Sequence, residues 1–309
     1  MLDALFLSFS LTQLCPIEKA ALNDAADRIE YAYVLEREAK EIAADLRAVT
    51  AKIDAVVQCG DPKSFTSATT KYLRQMSGDG HFYIEPRSDD TFTDDDWLTS
   101  WRKAAPSKGY GIRNVTIYKG NIGHLQISSF YELEASFARY DAAFELLSDT
   151  DAFILDLRGN GGGSPETERP LIWTFLTPGL GPLLTIESRI ESLSVPSEVP
   201  VLWKRYGAER PLVVLIDGDT FSAPEAVAYT LQSVDRAVII GEASGGGAHL
   251  LDSGVPVGEA FTLYVPTRRP VGTRTGGNWE GVGVLPDIEA SSEDALETAI
   301  SYLRAQLPK

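Results

Sequence analysis

Three short apolar runs, AFILDL at 152–157, PLVVLID at 211–217 and AVIIGE at 237–242, constrain this chain more than any other feature. Runs this short and this uniformly apolar suit strands buried on both faces, as in parallel sheets. Helical patterns precede each of them, from Glu134 to Leu147, near Pro170 to Leu176, and from Ser222 to about Ser233. Strand alternating with helix predicts an α/β core. Ahead of that core, VTIYK and GHLQISSF meet at Gly120-Asn121, a tight-turn pair. Residues 248–285 read as short strands and loops, and a last helix is expected over about Glu293 to Leu307.

The first eighty or so residues follow a different rule. From Pro16 to about Val56, Leu22, Ala26, Ile29, Tyr33, Ile42 and Leu46 recur at helical spacing between charges, and another helix is expected from about Ser64 to Met76. The expected organisation is therefore a helical domain at 1–84, a polar linker at 85–110 that includes DDTFTDDDW, and an α/β domain at 111–309. With 309 residues, 44% of them hydrophobic, the chain can bury one large core and a smaller one. The formal charge of -16 disfavours nucleic acid and anionic lipid as partners. No apolar run reaches the length of a membrane span, and the opening MLDALFLSFSLTQLC carries Asp3 and no basic residue, so a signal peptide is not indicated and a soluble protein is expected. Cys15 and Cys59 lack metal-ligand spacing and are expected to be buried thiols.

Three loops carry residue types suited to chemistry. Arg158-Gly159-Asn160-Gly161-Gly162-Gly163 follows the first buried run, and its glycines allow main-chain N–H groups to converge on an anion, or make a plain turn. Ser222-Ala223-Pro224-Glu225 opens a helix after the second run. A serine there suits a nucleophile beside a free helix N-terminus, and equally a Ser-x-x-Glu capping box. The two roles compete for one hydroxyl. In the third loop, Glu280 and Asp287 are carboxylates able to orient a histidine, or simply solvated.

A serine nucleophile needs a base. No lysine lies between Lys204 and Lys309, and the histidines are His81, His124 and His249. Alternation in GHLQIS puts Leu125 and Ile127 inside and His124 at the surface. His249 follows a glycine run and competes with His81, which stands where the Ser-Gly-Asp-Gly turn meets the strand-like FYIEP.

Taken together, the Ser-Gly-Asp-Gly-His81 turn, GHLQISSF, FILDLRGNGGG, PLVVLIDGDTFSAPEA, VIIGEASGGG and NWEGVGVLPD resemble, in order, the serine peptidases that include C-terminal (tail-specific) processing proteases, the tricorn core and interphotoreceptor retinoid-binding protein. The resemblance implies a ClpP/crotonase-like core with an N-terminal helical bundle. In the tricorn-like branch it implies Ser222 as nucleophile, His81 as base and Glu280 as the group orienting it, with an oxyanion hole from the N–H of Ala223 and of Gly161 or Gly162. A peptide or protein substrate and no metal or organic cofactor are implied. Two departures stand out. The lysine of the tail-specific dyad is missing after Gly241-Glu242, and the stretch after His81 is too short for the PDZ domain of many relatives. Gly80 also stands where the tricorn core has a serine. The rival readings are a non-catalytic carrier of retinoids or fatty acids, as in the retinoid-binding relatives, and an esterase-type acyl hydrolase.

Overall fold

The computed structural model describes residues 15–50, 60–87, 95–189, 191–194 and 200–308. The chain divides into two compact units, Met1–Thr91 with Leu251–Thr267, and Phe92–Leu250 with Arg268–Lys309. The opening residues and Cys59 fall outside the described part. Among the described residues no helix is long and apolar enough to cross a membrane.

The smaller unit opens with helices α1 (Pro16–Ala32), α2 (Glu36–Thr50) and α3 (Pro62–Ser77), followed by strand β1 (Tyr83–Pro86). Within the run expected to be helical from Pro16 to Val56, a break at Tyr33–Leu35 separates α1 from α2. Cys15 is disulfide-bonded, which corrects the expectation of a buried thiol. Small residues at Ala21, Ala25, Ala26, Ala39 and Ala43 line the buried faces of α1 and α2, between the larger Leu22, Ile29, Ile42 and Leu46. Asp61 caps α3 by accepting from Lys63 N at 3.1 Å and Ser64 N at 3.3 Å, with Pro62 starting the helix. Gly78 ends it at φ 71°, a left-handed position that costs glycine nothing sterically.

The larger unit contains α4 (Asp95–Ala104), a 3-10 segment at Pro106–Gly111, β2 (Ile112–Tyr118), β3 (Ile122–Ile127), α5 (Leu133–Leu147), β4 (Ala152–Asp156), α6 (Pro165–Thr174), β5 (Leu184–Glu187), β6 (Ser192–Ser194), β7 (Leu212–Ile216), α7 (Ala223–Ser233), β8 (Val238–Gly241) and β9 (Leu250–Leu251). Then β10 (Val255–Val257) and β11 (Phe261–Tyr264) belong to the smaller unit, where β11 pairs antiparallel with β1 and β10. Val257, Phe261, Leu263 and Val265 complete that unit's core. The chain ends with β12 (Pro266–Gly272), β13 (Ile288–Glu289) and α8 (Ala295–Gln306). Two features differ from the sequence expectation. The stretch expected to be a linker folds at 95–111, and the segment 251–267 supplies apolar residues to the small unit rather than to the large one.

A six-stranded sheet, ordered β13-β8-β7-β4-β3-β2, forms the centre of the larger unit. Only the β2–β3 hairpin is antiparallel; β3, β4, β7, β8 and β13 run parallel. Because β3, β4, β7 and β8 are neighbours in chain order, successive right-handed crossovers place α5, α6 and α7 on one face. Tyr140, Phe144, Leu171, Trp173, Val227 and Leu231 pack there with Leu125, Phe153 and Val214. Ala295, Ala299 and Leu303 of α8 cover the opposite face over Ile122, Ile154, Val213 and Ile240. Both faces are thus dry, which explains the unbroken apolar runs.

Double coverage also corrects the expected surface position of His124. This side chain is 2% exposed on the face that α8 covers. Its Nε2 lies 3.2 Å from Asp156 Oδ2, and its Nδ1 lies 3.3 Å from Asn114 Nδ2. His124 is therefore a satisfied core histidine.

Candidate active site

Parallel α/β sheets bind ligands beyond the carboxyl ends of their strands. The loops after β4 and β7 leave the sheet there side by side and are stitched together. Asp217 Oδ1 accepts from Gly159 N at 2.9 Å, and the Thr220 hydroxyl donates to the Leu157 carbonyl at 3.0 Å. Phe221 N donates to the Asn160 carbonyl at 2.9 Å. The glycine-rich loop is anchored on its other side too, with Phe130 N donating to the Gly162 carbonyl at 3.0 Å.

Ser222 follows directly, at φ 69° and ψ -121° at the start of α7. A positive φ strains a residue bearing a Cβ by roughly 1–3 kcal/mol and persists only where surrounding bonds fix it. Here Glu225 Oε2 accepts the Ser222 N–H at 2.7 Å, while Glu225 N donates to the Ser222 carbonyl at 2.9 Å. Ser222 and Glu225 thus form a reciprocal capping box, the Ser222 side chain facing the Glu225 N–H and the Glu225 side chain taking the Ser222 N–H. A strained serine between a buried strand and a helix N-terminus matches the geometry of a nucleophile turn.

The glycine-rich loop reaches this turn. A Cβ built on Gly162 would stand 3.3 Å from Ser222 Cβ and 3.2 Å from the Phe221 carbonyl oxygen. Of the two glycines expected to offer an oxyanion donor, Gly162 already donates its N–H to Asn160 Oδ1 at 3.0 Å. Asn160, fully buried, donates in turn to the Ile127 carbonyl at 3.1 Å. That arrangement leaves the amides of Gly161 and Ala223 as the pair to consider.

Glu280 and Asp287 separate clearly. Asp287 holds the edge of the sheet, its Oδ2 accepting from Ile239 N at 2.7 Å and its Oδ1 from Gln232 Nε2 at 3.0 Å. Glu280 instead faces the segment after β8. Its Oε2 accepts from Ala248 N at 2.7 Å and His249 N at 2.8 Å, and lies 3.6 Å from His249 Nδ1. His249 itself is 2% exposed. Trp279 Nε1 donates to the Gly247 carbonyl at 3.0 Å and locks the two segments together.

His81 belongs to the smaller unit. Asp79 places it: Ser77 Oγ accepts from Asp79 N at 3.0 Å, and Asp79 Oδ1 accepts from His81 N at 2.9 Å. The same oxygen lies 3.8 Å from His81 Nδ1, and Tyr33 Oη donates to Asp79 Oδ2 at 3.3 Å. Sequence reasoning did not single out Asp79, Asn160, Asp217 or Ser244, although all four stood inside quoted motifs. Their roles depend on which loops meet, and spacing does not encode that.

Residues 121–290 match the model of the family described as Peptidase family S41. A carboxy-terminal-processing protease of Bartonella bacilliformis is 31% identical over 179 residues, covering 55% of this chain and 39% of its own length. The chain therefore spans about two fifths of that curated relative. Among solved structures, a lipoprotein from Streptococcus agalactiae superposes with a TM-score of 0.63 at 17% identity, over 96% of this chain and 99% of that one. A photosystem II D1 C-terminal processing protease superposes with a TM-score of 0.56 at 18% identity, over 89% and 94% of the two chains. Both share the α/β fold described above.

Proposed function

The chain belongs to peptidase family S41, and on that premise we propose that it is a serine peptidase cleaving peptide bonds in peptide or protein substrates. The observation that carries this reading is Ser222, held at positive φ at the head of α7 against the glycine-rich loop. In the proposed reaction Ser222 Oγ attacks the scissile carbonyl and His81 takes the hydroxyl proton. The carbonyl oxygen becomes an oxyanion, accepting from the N–H groups of Ala223 and Gly161. Collapse breaks the C–N bond, and His81 returns the proton to the leaving amine. Water, deprotonated by the same imidazole, then releases the acyl group and restores Ser222. Glu280 holds the imidazolium that forms at each step. Losing one oxyanion donor in such a site typically costs about 3 kcal/mol of transition-state stabilisation.

His249 competes as the base, because it is buried with its Nδ1 3.6 Å from Glu280 Oε2. The decisive experiment is fluorophosphonate labelling with turnover of a peptide library. Ser222→Ala abolishes both in this reading, and His81→Ala reduces turnover by about 10⁴-fold, as for loss of a general base. Turnover that survives His81→Ala but disappears in His249→Ala reassigns the base. Retention of labelling in Ser222→Ala removes the nucleophile.

A further inference from the structure

Glu225 makes more bonds than a helix cap requires. A capping glutamate at the third position of a helix accepts one hydrogen bond, from the N-cap amide. Glu225 accepts four. Its Oε2 takes Ser222 N at 2.7 Å and Gly247 N at 2.8 Å, while Oε1 takes Ser244 Oγ at 2.5 Å and Gly246 N at 2.7 Å. Three of these donors lie in the segment 244–247, about twenty residues further along the chain.

That segment is joined in turn to the loop that carries Glu280. Ser244 Oγ accepts from Val284 N at 2.7 Å, and the Gly246 carbonyl accepts from Gly281 N at 2.8 Å. One buried carboxylate therefore connects the strained serine, the stretch leading to His249 and the loop bearing Glu280. Burial pushes its pKa up, and the bonds from Ser244, Gly246, Gly247 and Ser222 oppose that rise. Only a carboxylate offers acceptors on both oxygens. A glutamine would turn its NH₂ toward Gly246 N–H, or toward the N–H groups of both Ser222 and Gly247. An aspartate is one methylene too short to reach both sets of donors.

We propose that Glu225 is a positioning residue for the Ser222 nucleophile: its carboxylate fixes the serine backbone and the 244–247 segment in one register. The proposal rests on the peptidase reading above. Glu225 does not touch substrate, so its loss acts on the chemical step rather than on binding.

The experiment compares wild type with Glu225→Asp, Glu225→Gln and Ser244→Ala in the full chain, measuring kcat and KM on one peptide substrate and folding by circular dichroism. A glutamine at the third helix position still completes a capping box. A purely capping Glu225 therefore predicts near-normal turnover in Glu225→Gln. The clamp predicts a kcat about 100-fold lower, as for a displacement of about 1 Å, with KM within about threefold. A folded Glu225→Asp or Glu225→Gln with kcat within about threefold of wild type overturns the proposal. Should both fail to fold, Ser244→Ala decides: about a tenfold drop in kcat at constant KM supports the clamp, and unchanged kcat overturns it. Wild type that neither turns over nor labels at Ser222 removes the peptidase reading itself. Active wild type with tolerant variants removes only the clamp.

Discussion

Replacing Gly162 by alanine tests the juxtaposition of the glycine-rich loop and the serine turn. At φ 120° this glycine occupies backbone space that L-residues rarely adopt, so a Cβ there adds about 1–3 kcal/mol of strain. The added methyl also stands 3.2 Å from the Phe221 carbonyl and 3.3 Å from Ser222 Cβ, so one loop must retreat by a few tenths of an ångström. Domains commonly have about 5–15 kcal/mol of stability, so the variant should fold, with a melting temperature lower by roughly 2–12 °C. The site is less tolerant. Since a shift of about 1 Å costs about 10²-fold, a partial shift predicts a fall in kcat/KM between about tenfold and 100-fold. Gly218→Ala is the control, because no heavy atom lies within 4 Å of a Cβ built there and its φ is not positive. Fluorophosphonate labelling rates, kcat/KM and melting curves of the two variants together give the answer. Gly162→Ala labelling at the wild-type rate, or Gly218→Ala falling as far, refutes the reasoning.

Asp156 and Asp61 offer tests of stability. Burial pushes the Asp156 carboxyl up, but hydrogen bonds from Arg158 and His124 outweigh it and hold the pKa below the usual carboxylate range. Its folded value lies below its unfolded one, so its contribution is complete above the ordinary carboxylate pKa and fades as pH falls through the lowered value. Asp156→Asn should lower stability by about 3–5 kcal/mol near neutral pH, with the gap to wild type in urea midpoint closing in acid; a constant gap contradicts the ion pair. Asp61→Ala removes the α3 cap and should cost about 0.5–2 kcal/mol in urea unfolding, whereas no change would mean that Pro62 alone sets the helix start.

The buried runs at β4, β7 and β8 made the parallel core readable, because a strand covered on both faces has a composition no amphipathic element shares. The same logic hid His124. A polar residue alternating with Leu125 and Ile127 reads as solvent-facing unless α8, some 170 residues later, is known to cover it. The Asp156 and Asn114 partners that make the burial tolerable lie on the two neighbouring strands, and the pairing that brings them there is not local in the pattern. Likewise the apolar residues of 255–265 have the right pattern for strands, but nothing local reveals that Phe261–Tyr264 pairs with Tyr83–Pro86.

Ser222 shows why a local motif left two roles open. A Ser-x-x-Glu start gives the helix two reciprocal bonds, and a hydroxyl engaged in one of them is a poor nucleophile. In this fold the Glu225 N–H faces both the Ser222 carbonyl and the Ser222 side chain, and the Ser222 N–H goes to the Glu225 carboxylate. The helix start is then held by main-chain geometry and one buried acid. That acid remains in place because Ser244, Gly246 and Gly247 compensate its burial. The cap is anchored from a second loop, and the positive φ of Ser222 is the strain that this anchoring has to sustain.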